Sequence, residues 1–584
     1  MKKKLLAAGL CLSLLSMSIL CGFMPAAEYA AGKDKVKAVT YFGDAWPINF
    51  WSSEMDGMAQ DFQKIREDGF NHIILCVPWN EFQPEVLGMP EVQNKFNTEA
   101  LSRLDAVMSD AEKAGLGVML RLGYTWDYYD SEDVLKRYEA LINDKSVRAA
   151  WLAYAKKIYE TVSAHQNFTG AFLTWEDFWN FVDTERQIAG TIQGEQKAKE
   201  LGFSDYVLGH YTRAELEQLY HNPQDALTGA FPKADSPAYR LFLEWYDKVL
   251  TDLLTETQTV FPDLSMECRL DVDSYRDEAG ALLGYAHNKT FACGNASYAS
   301  TMLSVSMGHQ PGTKLLPERA ADMSAAQIGR LNADSGKPLF VDQFLYMETT
   351  PGYENNASLA AEDVNTYLAQ MGDVFRRHTM GYGIWTYRDY ADNILYNPGF
   401  ALGLEGWSKN GTVNIAEQNG KKMAKLQPGA LLVQSIEGRN YISKEPSIVR
   451  IKLETEQPVV LTVMADGESR MLQAEKSGTF EVKFNQQAQK QISIRTSGAV
   501  LLDNVEVYSH LTRGDIYDRD GNPGRYLEGI RACNAALDGK TAAGDSAANE
   551  TARAEQSANK ENKTENTAEP QKNTPDISDV PAGN

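Results

Sequence analysis

The chain is poor in cysteine and histidine, with six Cys and eight His among 584 residues. Four cysteines lie outside the N-terminal apolar segment, at Cys76, Cys268, Cys293 and Cys533, and they are far apart in sequence. Their spacing matches neither a disulfide framework nor a zinc site. We therefore predict buried free thiols, no metal site and no cofactor.

Basic residues are also scarce, with 57 Lys and Arg against 79 Asp and Glu, which gives a net charge of -22. This deficit argues against nucleic-acid binding and favours neutral or cationic ligands. A chain of this length is too long for a single hydrophobic core, so we expect two or three domains.

Long apolar runs are limited to the N-terminus, where Leu5 to Phe23 follow three lysines and precede several alanines. This pattern predicts a bacterial-type signal peptide over residues 1–31 and a secreted or cell-surface protein. After its removal no other stretch approaches the ~20 apolar residues of a membrane span. An uncleaved anchor is an alternative, and lipid attachment at Cys21 is less favoured because Leu20 precedes it.

Short apolar runs alternate with amphipathic helical patterns between Val36 and Tyr387, as in βα units around a parallel sheet. The predicted strands are Lys37–Phe42, His72–Val77, Gly117–Leu122, Gly170–Thr174, Leu264–Leu270, one strand within Phe291–Val305, Pro338–Val341 and Gly383–Tyr387. Eight such units favour a closed (β/α)8 barrel over residues 32–396, and an open doubly wound sheet is the alternative fold.

Helical patterns lie between these strands, often followed by glycine. The predicted helices are Glu54–Asp68, Thr98–Ala114, Val147–His165, Tyr239–Phe261, Ala325–Ser335 and Leu359–His378. Residues 185–232 hold two short helical patterns and no convincing strand, which predicts a helical insertion after the fourth strand.

The C-terminal third changes character, because residues 397–508 are rich in strands of alternating polarity and poor in helix. This stretch predicts an antiparallel β-sandwich. A helical pattern at Arg525–Leu537, within residues 509–540, is interpreted as the missing eighth barrel helix, so the sandwich would be an insertion. Residues 541–584 lack large apolar side chains and predict a disordered tail.

In a (β/α)8 barrel the loops after the strands build the active site. Carboxylates and aromatic rings occur at those ends, including Asp273 and Asp389. The predicted substrate-binding residues are Trp46, Trp79, Asn80, Glu81, Arg121, Trp126, Asp127, Trp175, Asp271, Gln343 and Trp385. The tryptophans would cover sugar faces, and filling the core is the alternative for each of them.

The fourth strand ends in Trp175-Glu176-Asp177, a carboxylate among aromatic rings. Apolar surroundings raise the pKa of a carboxyl, as a general acid in glycoside cleavage requires. Glu176 is therefore the predicted general acid/base. Capping the following helix, or pairing with an arginine, is the alternative.

Three segments carry a family resemblance. Val77–Pro84 (VPWNEFQP) is similar to the end of the second strand in β-galactosidase-type enzymes, and Asp518–Pro523 (DRDGNP) is similar to the run before their last helix. Residues 397–508, with NPGF at the start and LLDNVEVY at the end, resemble jelly-roll carbohydrate-binding modules. The barrel thus resembles the clan of retaining β-glycosidases that carry their two carboxylates after strands four and seven.

The resemblance implies that Glu176 is the acid/base, but the chain departs from the family pattern at two positions. Trp175 replaces the usual Asn before that Glu, and Gln343 stands where the family has its nucleophilic Glu. A Gln cannot serve as a carboxylate nucleophile. Asp342 would be the second carboxylate if the strand is shifted by one residue.

Other candidates for the second carboxylate are Asp271, Asp273 and Glu348, and Asp342 could instead pair with Arg121 or Arg269. The distance between the two carboxylates would decide between retention and inversion.

Two functions follow. The first is a secreted glycoside hydrolase acting on a β-linked polysaccharide or oligosaccharide. The second is a barrel that has lost its nucleophile and binds glycan at the cell surface or in polysaccharide assembly. The sandwich would bind sugar or act as a spacer.

Overall fold

The computed structural model describes residues 35–53, 55, 57–84, 95–123, 139–174, 185–268, 274–276, 282–285, 290–418, 420–439 and 441–540. Several predicted features lie outside these residues: the signal segment, Trp126, Asp127, Trp175, Glu176, Arg269, Asp271, Asp273 and residues 541–584. Among the described residues, no helix combines the length and apolarity that crossing a membrane requires.

Eight parallel strands close into a barrel, each paired with the strands before and after it in the chain. The strands are β1 (Val36–Thr40), β2 (His72–Val77), β3 (Gly117–Leu122), β4 (Phe168–Leu173), β5 (Leu264–Cys268), β6 (Ala299–Ser304), β7 (Leu339–Leu345) and β8 (Gly381–Ile384). The predicted closed barrel is confirmed, and the open sheet is excluded because β1 pairs with β8.

Amphipathic helices cover the outside of the barrel. The long helices are Met58–Glu67, Thr98–Lys113, Lys145–Val162, Tyr239–Gln258, Pro317–Ser335, Val364–His378 and Leu527–Leu537. Side-chain caps start some of them, since the Asn97 and Asp144 side chains accept backbone N–H groups of the first turn. Short helices occur at Trp79–Phe82, Phe50–Ser52 and Thr290–Ala292.

The insertion after β4 contains more helix than its sequence predicts. Besides the helical residues 185–188, four helices are present where two helical patterns are visible: Ile192–Glu200, Phe203–His210, Arg213–Leu219 and Pro223–Thr228. Each has six to nine residues. Helices this short show too few turns for a clear apolar period.

Side chains inside the barrel form an apolar lower layer and a polar layer above it. The lower layer comprises Ala38, Ile74, Met119, Phe172, Tyr298 and Phe340. Along each strand, the side chains that alternate with these inward-facing ones point outward. They pack against the surrounding helices and form the main hydrophobic core with them. This alternation is the usual period of a barrel strand.

Residues 408–508 form a β-sandwich of two five-stranded antiparallel sheets. One sheet contains Ser408–Asn410, Leu431–Ser435, Gln491–Thr496, Val459–Ala465 and Glu468–Ala474, and the other contains Val413–Gln418, Lys421–Leu426, Val500–Tyr508, Ile448–Glu454 and Gly478–Lys483. Inward side chains from both sheets form a separate core.

The helix Leu527–Leu537 packs against the barrel. Its Asn534 accepts a hydrogen bond from the Tyr382 hydroxyl (2.7 Å) and donates one to the Asp68 carbonyl (2.9 Å). A Cβ atom at Gly372, in the helix Val364–His378, would lie 2.5 Å from the carbonyl oxygen of Cys533 in the helix Leu527–Leu537. Glycine at this position therefore allows the two helices to approach this closely. The sandwich therefore lies in the chain between β8 and the helix that follows it in the barrel.

The chain leaves and re-enters the barrel through adjacent segments. Tyr390–Ala391 pairs antiparallel with Leu511–Thr512, and the Asp392 carboxylate accepts N–H groups of Ser509 and His510 at 3.0 and 2.7 Å. Cys76, Cys268, Cys293 and Cys533 are buried thiols that take part in no disulfide, as predicted.

Candidate functional site

A β-bulge interrupts β7 where the sequence turns polar. Val341 pairs with Thr301 of β6, and the next pair is Gln343 with Met302, so Asp342 is an extra residue. The side chains of Val341 and Phe344 both belong to the main hydrophobic core, between the barrel and its helices. The two residues between them, Asp342 and Gln343, therefore both face the barrel interior, which a regular strand does not allow.

Asp342 lies in a buried polar layer with Arg121 of β3 and Glu267 of β5. The Arg121 guanidinium forms an ion pair with the Glu267 carboxylate, and both side chains are only 1% exposed. The Thr174 hydroxyl donates to the other Glu267 oxygen at 3.0 Å. The predicted alternative, an Arg121–Asp342 salt bridge, is thus replaced by an Arg121–Glu267 pair.

The Asp342 carboxyl is fully enclosed in this layer. Burial raises its pKa well above the ordinary Asp value, the charge of Glu267 raises it further, and Arg121 opposes both effects. Neither carboxyl oxygen has a hydrogen-bond partner of good geometry in the described part of the chain. The buried surroundings of Asp342 therefore favour its neutral form over the charged one.

Gln343 is the next residue toward the barrel mouth. Its side chain is buried, with 5% of the residue exposed. The amide oxygen Oε1 has no hydrogen-bond partner within the described residues. A buried acceptor without a donor costs about 1–3 kcal/mol, so this oxygen is a ready acceptor for a ligand N–H or O–H.

Trp385 follows β8, and its side chain is partly exposed. The Arg121 guanidinium carbon lies 5.4 Å from the centre of its ring and 5.7 Å from that of Phe172. Trp46 is 5% exposed and lies in a small cluster that Trp385 and Ile442 of the sandwich also contact. The sandwich thus reaches the loops after β1 and β8.

The residues after β2 are mostly buried. Trp79 is 0% exposed and packs edge-on against Trp151, and its Nε1 donates to Gln83 at 2.8 Å. Its ring offers no face to a sugar and fills the core. Glu81 is buried, whereas Asn80 is partly exposed.

Asp389 has a structural place, since its carboxylate accepts the Gly514 N–H at 2.9 Å in the returning segment. Glu348 accepts backbone N–H groups of Thr349 and Thr350 in its own loop. The remaining predicted site residues, Trp126, Asp127, Trp175, Glu176, Asp271 and Asp273, lie outside the described residues. Arg121, Asp342 and Gln343 are brought together in the barrel, and Trp385 contacts Arg121.

Sequence reasoning missed several buried carboxyl groups, among them those of Glu267 and Glu185. Glu267 interrupts the apolar strand Leu264–Cys268, and this charged residue between Met266 and Cys268 was the available signal. Glu185, at the start of the insertion, is 2% exposed, and burial together with the Glu139 charge raises its pKa to about 8. No sequence pattern distinguished it from a surface glutamate.

Comparison with known proteins gives results only at the level of structure. No protein-family model matches the chain, and no curated protein matches it. Solved structures do match, among them a GH5_18 protein from Bifidobacterium longum subsp. longum in complex with Manβ1-4GlcNAc. It has 13% identity and a TM-score of 0.40, with 64% of this chain and 73% of that chain covered.

The barrels that this chain resembles are glycoside hydrolases. An exo-β-1,4-mannosidase from Opitutaceae bacterium strain TAV5 matches with 14% identity and a TM-score of 0.39, covering 63% of this chain and 54% of its own. The carbohydrate-binding module TmCBM61, in complex with β-1,4-galactotriose, matches over 20% of this chain and all of its own length, with 19% identity and a TM-score of 0.18. Identities and scores this low carry no argument about activity, and the barrel fold rests on the strand order described above.

Proposed function

We propose that this protein is a secreted glycoside hydrolase that cleaves β-linked glycans, with Glu176 as general acid. The bulge of β7 carries the proposal, because it turns Asp342 and Gln343 inward together at the carboxyl end of a barrel strand. Bulges of this kind occur next to active sites, where they re-aim side chains. The partly exposed Trp385 ring follows the neighbouring strand and supplies an apolar face for a sugar.

Glycoside cleavage needs a proton for the departing oxygen. Glu176 follows β4, and Thr174, two residues earlier, contacts Glu267 inside the barrel. We assign the proton to Glu176 because its aromatic sequence neighbours favour a raised pKa.

Asp342 is the predicted second carboxylate, and its enclosure limits what it can do. While it is protonated, a carboxyl group can neither attack the anomeric carbon nor activate water. Asp342 can take that role only at a pH high enough to ionise it beside Glu267. Its assignment as nucleophile or base therefore implies activity that increases toward alkaline pH.

A second function has a specific observation in its favour. Gln343 stands where related hydrolases carry their nucleophile, and a buried amide can hold a sugar without cleaving it. We therefore keep as the alternative a glycan-binding barrel at the cell surface or in polysaccharide assembly.

The test is hydrolysis of β-linked polysaccharides and aryl β-glycosides by the mature protein and its Glu176→Gln and Asp342→Asn variants. We expect Glu176→Gln to lower kcat/KM on glycans by about 10²–10⁴, because proton transfer to the leaving group is lost. Aryl glycosides whose leaving groups depart without a proton should lose much less. Glu160→Gln, an exposed position on Lys145–Val162, is the matched control.

Equal losses on both substrate types would contradict the acid role of Glu176. Loss of activity in Asp342→Asn as well would identify the second carboxylate. Glycan binding by the wild-type protein without any hydrolysis would overturn the hydrolase and support the binding function.

A further inference from the structure

We propose that the inserted sandwich completes the glycan site. Ile442 of the sandwich and Tyr396 of the segment leading to it form, with Trp385, an apolar wall that binds a sugar unit beyond the one at the cleavage position. This inference rests on the proposed function, which supplies a β-linked glycan as the ligand. It adds a second sugar subsite and gives the sandwich a part in it.

Trp385 connects this wall to the barrel interior. The preceding residue, Ile384, pairs with Phe344 of β7, so Trp385 follows β8 beside the inward-facing Gln343. The Arg121 guanidinium carbon lies 5.4 Å from the centre of the Trp385 ring, and the side chain is still partly exposed. A glycan that enters the barrel beside β8 therefore has this ring next to its path.

The sandwich extends the apolar surface around this ring. Ile442 lies in a loop of the sandwich, and Tyr396 lies in the segment between the barrel and the sandwich. Both side chains pack against the same small cluster as Trp385, which also contains Trp46. Both remain partly exposed. Barrel and sandwich thus contribute to one apolar surface at the loops after β1 and β8.

Hydrogen bonds fix the backbone of both residues. The Ile442 N–H donates to the Asp392 carboxylate at 3.2 Å. The Tyr396 N–H donates to the Gln434 side chain at 2.8 Å, and the Gln434 amide donates to the Tyr396 carbonyl at 2.9 Å. A wall that is ordered before the ligand arrives loses little conformational entropy when the ligand binds.

A polar group borders the apolar wall, as recognition of a sugar requires. The Tyr396 hydroxyl donates to the exposed Glu405 carboxylate at 3.1 Å. A carboxylate has more acceptor sites than this single hydrogen bond uses, so Glu405 can also accept a sugar hydroxyl. An apolar surface with a few polar groups at its edge is typical of ligand sites.

The segment that returns from the sandwich also borders Trp385. A small pocket beside the ring is lined by Met347 and Thr349 of the loop after β7 and by Thr512 and Gly514 of the returning segment. Both chain segments that join the sandwich to the barrel therefore lie near the same partly exposed ring. A domain that served only as a spacer would need neither contact.

The sandwich does not offer a separate aromatic platform in its described residues. Its rings are either buried or packed against the sandwich core: Phe400, Trp407, Tyr441, Phe480, Phe484 and Tyr508. We therefore assign its contribution to sugar binding to the wall that it shares with the barrel.

The dependence of the wild-type rate on glycan length provides the first test. The substrates are β-linked gluco-, manno- and galacto-oligosaccharides of two to six units, together with the β-glycosyl fluoride of each sugar, which has a single sugar ring. On the sugar that is hydrolysed, we expect kcat/KM to rise with length once a second unit reaches the wall.

Variants of the wall provide the second test. Ile442→Ser and Tyr396→Ser remove apolar surface, and we expect kcat/KM on the longer oligosaccharides to fall by about 5–50-fold, mainly through KM. Hydrolysis of the fluorides should change little, which also shows that the variants are folded. Ile415→Ser is the matched control, because Ile415 is likewise partly buried but packs against the sandwich core.

The outcomes separate this inference from the proposed function. Equal losses on fluorides and long oligosaccharides, or no loss on either, would overturn the second subsite and leave the hydrolase intact. If the oligosaccharides bind without being hydrolysed, calorimetric Kd values replace kcat/KM, and the same variants should weaken binding of the longer ones. Neither hydrolysis nor binding of any glycan would overturn both the proposed function and this inference.

Discussion

Glu185 is a buried carboxyl whose protonation couples folding to pH. It is 2% exposed, and neither of its oxygens has a hydrogen-bond partner among the described residues. Burial and the nearby Glu139 charge raise its pKa from 4.5 to about 8, whereas Lys197 lowers it. The folded protein thus binds a proton at Glu185 that the unfolded chain releases above about pH 4.5.

The sign of this coupling gives a prediction for Glu185→Gln. The wild-type contribution to stability is fully present below the unfolded pKa and is lost as pH rises toward and through 8. At pH 9 we expect the Gln variant to be more stable by about 2–4 kcal/mol, at roughly 1.4 kcal/mol per unit of pKa shift. Urea unfolding from pH 5 to pH 9 measures the difference, with Glu160→Gln as the exposed control. Identical pH slopes in variant and wild type would contradict the assignment.

Arg121 and Glu267 form a buried ion pair, and breaking it should lower the free energy of unfolding. Both side chains are enclosed in the barrel, so Arg121→Met leaves the Glu267 charge buried without its ion-pair partner. We expect this variant to lose about 3–5 kcal/mol of unfolding free energy. The double variant Arg121→Met with Glu267→Gln should recover part of the loss, because no unpaired charge remains. A double variant less stable than the single one would contradict this explanation.

The polar residues of the site were predictable to different degrees. Asp342, Gln343 and Arg121 could be selected because they end or interrupt strands whose positions the apolar pattern indicates. Their contacts could not, because the Arg121–Glu267 pair joins residues 146 positions apart. Trp79 is another residue whose contacts the sequence does not reveal. An aromatic residue after a strand gives the same sequence pattern whether it fills the core or faces a sugar.

At the scale of elements, regular strands were predicted well and irregular ones less well. The bounds of β2 and β3 agree with the sequence prediction, because continuous apolar runs end at glycine or proline. β7 was predicted to end at Val341 but continues to Leu345. The polar pair Asp342-Gln343 is typical of the end of a strand. A bulge in mid-strand breaks the alternation of inward and outward residues, so the sequence pattern does not reveal that the strand continues.

The last helix of the barrel depends on one polar side chain for its position. Asn534 joins the helix Leu527–Leu537 to β8 through Tyr382 and to the Asp68 carbonyl. We expect Asn534→Ala to cost about 2–4 kcal/mol, because both partners are left buried and unpaired. Chemical denaturation measures the loss, and Glu528→Gln, an exposed position on the same helix, should change stability little. A loss below that of the control would show that the helix is held by its apolar contacts alone.

At the scale of the whole molecule, ion pairs connect the sandwich to the barrel, in addition to the two chain segments that join them. Arg519, in the returning segment, donates two hydrogen bonds to Glu506 of the sandwich at 2.7 and 2.8 Å. Its guanidinium also lies 3.1 Å from Asp44, in the loop after β1. Arg450 of the sandwich lies 3.3 Å from the same Asp44 carboxylate. These four residues connect both domains at the side of the barrel where the proposed site lies.

This connection predicts that barrel and sandwich unfold together. Arg519 and Glu506 are nearly buried, so Arg519→Met leaves a carboxylate enclosed without its main partner and should cost about 3–5 kcal/mol. In scanning calorimetry we expect one transition for the wild-type protein, and for Arg519→Met either a lower single transition or two separate ones. Lys444→Met, an exposed sandwich position, should leave the single transition in place. Two transitions already in the wild-type protein would mean that the charged contact does not couple the domains, since a cooperative unit must lose both cores at once.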